Sequence, residues 1–175
     1  MNPVVYCVSY GSNLHPLRIQ ERVPSARALG VVELPGFDLA FRKRSNDRSG
    51  KCSLHPAPAT RKAYGVLYQF DSGDKAGLDI AEGSRNGYFE QQVSVPLKGA
   101  NYNAYLYMVS STHLNSGLAP YHWYKNLVVA GAQFHGLPGE YVAAIQSVVS
   151  VEDSNSQRRE ENEALLRRMG LYGGG

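Results

Sequence analysis

Two short stretches carry residue types that could do chemistry together. Tyr10-Gly11-Ser12-Asn13-Leu14 closes the apolar run Val4-Val5-Tyr6-Cys7-Val8-Ser9. Gly11 has no Cβ, so its backbone can turn sharply and approach a ligand closely. Ser12 and Asn13 add short donors and acceptors. Pro16 suits a first helical turn, where its missing N–H would be unpaired anyway. A strand, a polar turn and a helix start would aim several free N–H groups at one point, as an anion or a polarised carbonyl requires. The same residues also read as an ordinary strand-to-helix turn. The second stretch is Leu78-Asp79-Ile80-Ala81-Glu82-Gly83. A glutamate at a helix C-terminus faces the negative end of the dipole, which disfavours its anion. Burial would raise its pKa further. Both effects suit a general base or acid near neutral pH, against the plainer reading of a solvated residue ending a surface helix. Asp79, one turn away, is the more exposed acid on this reading.

Other chemistries lack their residues. The five histidines (His15, His55, His113, His122 and His135) form no H-E-x-x-H pair, and Cys7 and Cys52 lie far apart, so no metal site is expected. There is no P-loop, no dinucleotide fingerprint and no G-x-S-x-G elbow. The basic segment Arg42-Lys43-Arg44, with Arg48 and Lys51 beyond, would hold an acidic ligand or RNA. No aromatic residues interleave it as stacking platforms, so it reads as a solvated loop. A formal charge of +3 over 175 residues is too small and dispersed to imply nucleic acid or membrane partners. Cys7, in an apolar run, reads as a buried small hydrophobe. No signal peptide and no membrane-spanning window are visible, and the expected setting is a reducing cytoplasm.

The elements that must position Tyr10–Leu14 and Glu82 follow from periodicity. Residues 3–10 read as a strand ended by Gly11, and 16–23 as a short helix with Leu17, Ile19 and Val23 inward. Strands are expected over 28–33, 37–41 and 63–70, with 42–58 an irregular excursion. A helix over about 74–82, with Leu78 and Ala81 inward, would end at a Gly83 cap. Strands over 88–96 and 102–109 turn about Gly99-Ala100-Asn101 as an antiparallel hairpin. Loop residues 113–121 lead to a helix over 121–134, with Trp123, Leu127, Val128 and Gly131 on one face. A second helix spans 140–149, with Tyr141, Ala144, Ile145 and Val148 in register. A polar tail from 152 contains a helix over 156–169 and ends in a flexible glycine run. One domain over 1–151 plus this tail is expected, of α+β class, with a small mixed, mostly antiparallel β-barrel and flanking helices.

The order of these parts resembles the gamma-glutamylcyclotransferases. Val8 to Leu14 resembles their Y-G-S-N-L loop. Leu78 to Gly83, then Gly87-Tyr88-Phe89, is similar to their catalytic segment. Pro24-Ser25-Ala26, Phe37 to Phe41, Pro120 to Lys125 and Gly131 to Tyr141 match further segments of the vertebrate-type enzyme, so the resemblance covers roughly residues 4–150. It implies the barrel fold and a reaction without cofactor or metal. The α-amine of an L-γ-glutamyl group attacks its own γ-carbonyl, releasing 5-oxoproline and an amino acid or amine. By position, Glu82 would move the protons. Tyr10, Gly11, Ser12, Asn13 and Leu14 would grip the glutamyl head, and Tyr124 would donate its hydroxyl. The expected partner is a small γ-glutamyl molecule, with neither nucleic acid nor membrane. Oligomeric state stays open, a homodimer being one alternative. Ser9 departs from the family's common alanine, while the 42–62 stretch and the tail have no clear counterpart. Rival readings are a non-catalytic binding module that kept the pocket, a related lyase removing a γ-glutamyl protecting group in a biosynthetic pathway, and an RNA-associated protein using the basic stretch.

Overall fold

The structure, a computed structural model, describes residues 2–82 and 87–171. The expected glycine cap at Gly83 and the terminal glycine run lie outside the described residues. The chain runs β1 (Val4–Ser9), α1 (Pro16–Gln20), β2 (Arg27–Pro35), β3 (Phe37–Arg44), β4 (Gly50–Pro56), β5 (Lys62–Asp71), α2 (Lys75–Glu82), β6 (Tyr88–Leu97), β7 (Ala100–Val109), α3 (His122–Phe134), α4 (Gly139–Ser147) and α5 (Ser156–Arg168). A five-stranded sheet has the order β2-β5-β1-β7-β6, and β3 and β4 form a separate hairpin. Only the β1–β7 contact is parallel; every other pairing in the five-stranded sheet is antiparallel.

The sheet curls into a half-barrel. Its two edges approach where Leu97, at the end of β6, packs over Gly30 of β2, and Lys98 Nζ donates to the Leu29 carbonyl at 3.0 Å. Curling lets a small sheet bury apolar side chains on its inner face while helices cover the outside. The interior strand β5, between β2 and β1, is accordingly buried on both faces: Val66, Leu67 and Tyr68 are all without solvent contact. This is why its alternation, clear in sequence, does not divide it into a wet and a dry side.

Helix α3 lies against the turn after β1. A Cβ at Gly131 would come within 2.4 Å of Leu14 Cβ and 2.7 Å of the His15 nitrogen, so only glycine lets the helix approach this closely. Tyr68 donates its hydroxyl to the Leu14 carbonyl at 2.7 Å. His15 caps the five-residue α1, its Nδ1 accepting from the Leu17 N–H at 3.1 Å. Leu14 itself is fully buried. Helix α5 packs on α3 through buried Leu165 and Leu166, and buried Asp153 ties the approach to it. Asp153 accepts from Trp123 Nε1 at 2.9 Å and from two Arg158 nitrogens at 2.6 Å each.

The segment 42–58 differs from the expected irregular, solvated excursion. Strand β3 continues to Arg44 and pairs with β4 across the turn at 45–49. Asp47 folds that turn, accepting from the Ser49 N–H at 3.0 Å and hydroxyl at 2.7 Å, and Tyr121 donates to the Asp47 carbonyl at 2.7 Å. Lys43 is 4% exposed. A basic, polar sequence masked these strands, because Lys43 and Lys51 turn inward onto aromatic rings and a carboxylate while Arg42, Arg44 and Arg48 stay exposed.

Candidate active site

The turn after β1 and the end of α2 meet over the open end of the sheet. They enclose a recess of about 370 Å³, counting its mouth, lined by residues 7–13, Cys52, Leu78, Glu82, Tyr88, Tyr107 and Tyr124. Residues 69 positions apart in sequence touch here: Asn13 Nδ2 donates to Glu82 Oε1. Arg22 Nη1 donates to Asn13 Oδ1 at 2.5 Å and stands 3.8 Å from Glu82 Oε1. Arginine has only donors, so Arg22 fixes which end of the Asn13 amide faces Glu82. The Glu82 side chain retains 19% exposure, enough for solvent or a ligand to reach it. Burial pushes its pKa up, and the Arg22, Lys43 and Arg18 charges with the Asn13 hydrogen bond offset part of that rise. Asp79 is bound elsewhere, accepting from Tyr107 at 2.5 Å and pairing with Lys75 at 2.9 Å.

Across from Glu82 the turn contributes backbone. Gly11 accepts from the Leu14 N–H at 3.2 Å, closing the turn, while the N–H groups of Ser12 and Asn13 meet no acceptor among the described residues. Such free amides on a low-dielectric wall are suited to an oxygen carrying developing negative charge. Gly11 is required by packing: an added Cβ would lie 2.9 Å from Cys52 Cβ and 3.6 Å from the Tyr124 hydroxyl. Tyr124 accepts the Cys52 N–H at 3.0 Å, which leaves its own proton to donate. Tyr88 donates to the Cys52 carbonyl at 2.7 Å and Tyr10 to the Tyr107 carbonyl. Burial raises the pKa of Tyr10, Tyr88 and Tyr124 well above the usual range and pushes the Cys52 thiol up to about 12, so all stay neutral.

Of the residues expected at the site, Tyr10, Gly11, Ser12, Asn13, Tyr124 and Glu82 line this recess together. Leu14 does not line it; its side chain points to the core beneath, where it anchors the turn. Cys52, Tyr88 and Tyr107 line the recess without having been singled out, and Arg22 stands behind Asn13. Tyrosines in alternating strands give no sign of which will face a cavity, and Cys52 sits in the segment misread as irregular. Among the described residues, no three His, Cys, Asp or Glu side chains cluster as metal ligands. Among the described residues, no helix is long and apolar enough to cross a membrane.

A family model described as the AIG2-like family matches residues 62–145. The chain is 28% identical over 167 residues to gamma-glutamylcyclotransferase of Bos taurus, spanning 91% of this chain and 86% of that one. It is 27% identical to the Homo sapiens enzyme of the same name over the same shares. A solved gamma-glutamyl cyclotransferase superposes with a TM-score of 0.82 at 26% identity, covering 95% of this chain and 99% of that structure. The chain is therefore similar to gamma-glutamylcyclotransferases in sequence and in fold over most of its length.

Proposed function

We propose that the protein is a γ-glutamyl cyclotransferase whose own side chains carry all the proton transfers. The supporting observation is the juxtaposition of a half-buried carboxylate, Glu82, with the unbonded Ser12 and Asn13 amides at one recess. In the reaction, the α-amine nitrogen of an L-γ-glutamyl group bonds to its γ-carbonyl carbon. The amide C–N bond then breaks, yielding 5-oxoproline and a free amine. Glu82 accepts one proton from the α-ammonium before attack and the second that the attacking nitrogen sheds as the new amide forms, and passes both in turn to the leaving nitrogen, which departs as an ammonium, so no water or cofactor is consumed. The Ser12 and Asn13 amides take the charge that develops on the carbonyl oxygen. Tyr124 donates its free hydroxyl proton to the bound head group. Because nucleophile and electrophile share one molecule, holding them in an attack geometry supplies much of the acceleration. Glu82 must be ionised to act as base, and its raised pKa lets it also serve as a competent acid. The free, buried Cys7 and Cys52 suit a reducing compartment such as the cytoplasm.

Incubation of the purified protein with a panel of γ-glutamyl amino acids and amines, read by mass spectrometry, tests this. Release of 5-oxoproline from at least one of them is expected. A panel that stays intact while binding is detected would leave a binding protein in place of an enzyme.

A further inference from the structure

Glu82 is the last residue of α2, so the placing of its carboxylate depends on what holds that helix. Apolar burial holds it weakly. Of the eight residues of α2 only Leu78 is buried, and Ile80 and Ala81 face solvent. A helix this short is marginal without tertiary anchors. One anchor is steric: a Cβ at Gly77 would come within 2.2 Å of the Arg22 carbonyl, so the helix sits directly on the chain after α1. That contact fixes a distance but not the rotation of the helix about its own axis.

The second anchor is polar and comes from β7. Asp79, one turn before Glu82, accepts from the Tyr107 hydroxyl at 2.5 Å, and Lys75 Nζ reaches its two oxygens at 2.9 and 3.0 Å. Lys75 and Asp79 both belong to α2, so their ion pair cannot fix the helix to anything else. Lys75 also donates to Glu90 of β6, but that contact is exposed and screened by solvent. The Tyr107 bond is the part-buried one that leaves the helix. Its origin is fixed, because the buried Tyr107 ring meets Tyr105 and Tyr88 edge-on, with centroids 5.5 and 6.5 Å away. Tyr107 is bonded in the opposite direction as well: its carbonyl accepts from the hydroxyl of Tyr10, where the turn carrying Ser12 and Asn13 begins. One residue thus holds both halves of the site.

We propose that Tyr107 is a positioning residue, whose hydroxyl acts through Asp79 to fix the rotation of α2 on the Gly77 contact and so keeps the Glu82 carboxylate on Asn13. The consequence for turnover rests on the cyclotransferase reading; the consequence for the Glu82 proton does not. Arg22, Lys43, Arg18 and the Asn13 donor, which favour the Glu82 anion, all stand outside α2. A helix that turns away weakens them together, and the carboxyl then titrates at higher pH. Small displacements of a proton-transferring group also cost rate.

Tyr107→Phe keeps the ring and the recess wall and removes only the hydroxyl. The first readout needs no turnover: the Glu82 carboxyl is titrated by carbon-13 NMR, its signal assigned by its absence from Glu82→Gln. Its midpoint is expected to move to higher pH in Tyr107→Phe. A hydroxyl that merely stabilises the fold would lower the melting temperature and leave that midpoint where it is. The second readout is 5-oxoproline release from γ-glutamyl-L-alanine. Tyr107→Phe, Asp79→Ala and the double variant are each expected to lose about 10-fold in kcat with KM within about twofold of the wild type, because the two residues act as one unit. An unmoved Glu82 midpoint in a folded Tyr107→Phe overturns the proposal, and so do losses that multiply in the double variant. A loss confined to KM would make Tyr107 a substrate contact and overturn it too. A wild type that releases no 5-oxoproline, but whose Glu82 midpoint moves in Tyr107→Phe, keeps the positioning role and removes the cyclotransferase.

Discussion

The two recesses that meet at Glu82 are built on opposite plans. The first is lined by the turn after β1 and by neutral hydroxyls that are already engaged: Tyr10, Tyr88 and Tyr124 are bonded to the backbone of Tyr107, Cys52 and Cys52, and Tyr107 to the Asp79 carboxylate. The recess beside it, which shares Ser12, Glu82, Tyr88 and Tyr124 with it, carries Arg18, Arg22, Lys43, Asp47 and Lys51, and of these cations Lys43 makes no ion pair among the described residues. The first suits a reacting group whose geometry must be fixed before bonds change, since rigid walls cost nothing to reorganise. The second sets the charge around the carboxylate, since Arg22, Lys43 and Arg18 offset part of the rise that burial imposes on Glu82. Glu82 belongs to both, and that shared position makes it the hinge between the two in this account.

The sharpest way to break the comparison is at Glu82 itself. Glu82→Gln keeps size and the Asn13 contact but cannot move a proton, and it is expected to lower kcat by a factor of about 100 or more. The wild-type kcat/KM should fall toward acid, with an inflection above 4.5, the ordinary glutamate value, because burial raises this carboxyl. The same shift has a stability consequence. The anion is the form the fold disfavours, so its penalty is absent below the ordinary carboxylate range and grows as pH rises through the raised value. Glu82→Gln should therefore melt above the wild type at pH 8 and level with it near pH 4 in thermal scans. An inactive variant that unfolds instead would reassign Glu82 to structure.

The next effect concerns the relay behind the carboxylate. Asn13→Ala removes the donor to Glu82 and strands the Arg22 guanidinium, and a loss of about 5- to 100-fold in kcat/KM is expected. Its distinguishing sign is a displaced acid limb in the pH profile, since one hydrogen bond that favours the Glu82 anion is gone. A uniform loss with an unmoved profile would mean that Asn13 only shapes the turn. Tyr124→Phe deletes one hydroxyl that accepts from Cys52 and that donates to substrate in the proposed reaction, and about 10-fold in kcat/KM is the expected scale.

Away from both recesses, Asp153→Asn should leave kcat/KM nearly intact. It should cost about 1–3 kcal/mol in denaturant melts, because Arg158 loses its bidentate acceptor and Trp123 Nε1 keeps only a weaker one. The Asp153 carboxyl is held well below the usual range by Arg158 first, with Trp123 adding to it, so its contribution is present above the ordinary aspartate pKa of 3.8 and fades as pH falls below it.

Legibility in the sequence divides along the same line as the two recesses. The enclosed recess was readable because its parts are local signals: a strand ended by Gly11, a helix that stops at Glu82, strands with clear alternation. Their order supplied the resemblance that joined them. The reason for Gly11 was only half readable, since the constraint is the Cys52 side chain pressed against it from β4. The recess beside it was not readable. Lys43 and Lys51 belong to strands whose inward charges break the apolar alternation that marks a strand. What holds them inside is long-range: the Tyr88 ring from β6, and Tyr121, Trp123 and Tyr124 from the start of α3. Leu14 shows the converse. It was grouped with its neighbours as a ligand contact because it is contiguous with them, yet a tight turn sends successive side chains to different sides, and this one goes to the core.

The central claim is that Glu82 moves protons for a γ-glutamyl group seated against the Ser12 and Asn13 amides. The most direct measurement is 5-oxoproline release from γ-glutamyl-L-alanine by the wild type and by Glu82→Gln, with matched circular dichroism spectra for the two proteins. The account predicts steady release by the wild type and a loss of about 100-fold or more in a variant that is fully folded. Equal release by both proteins would contradict it.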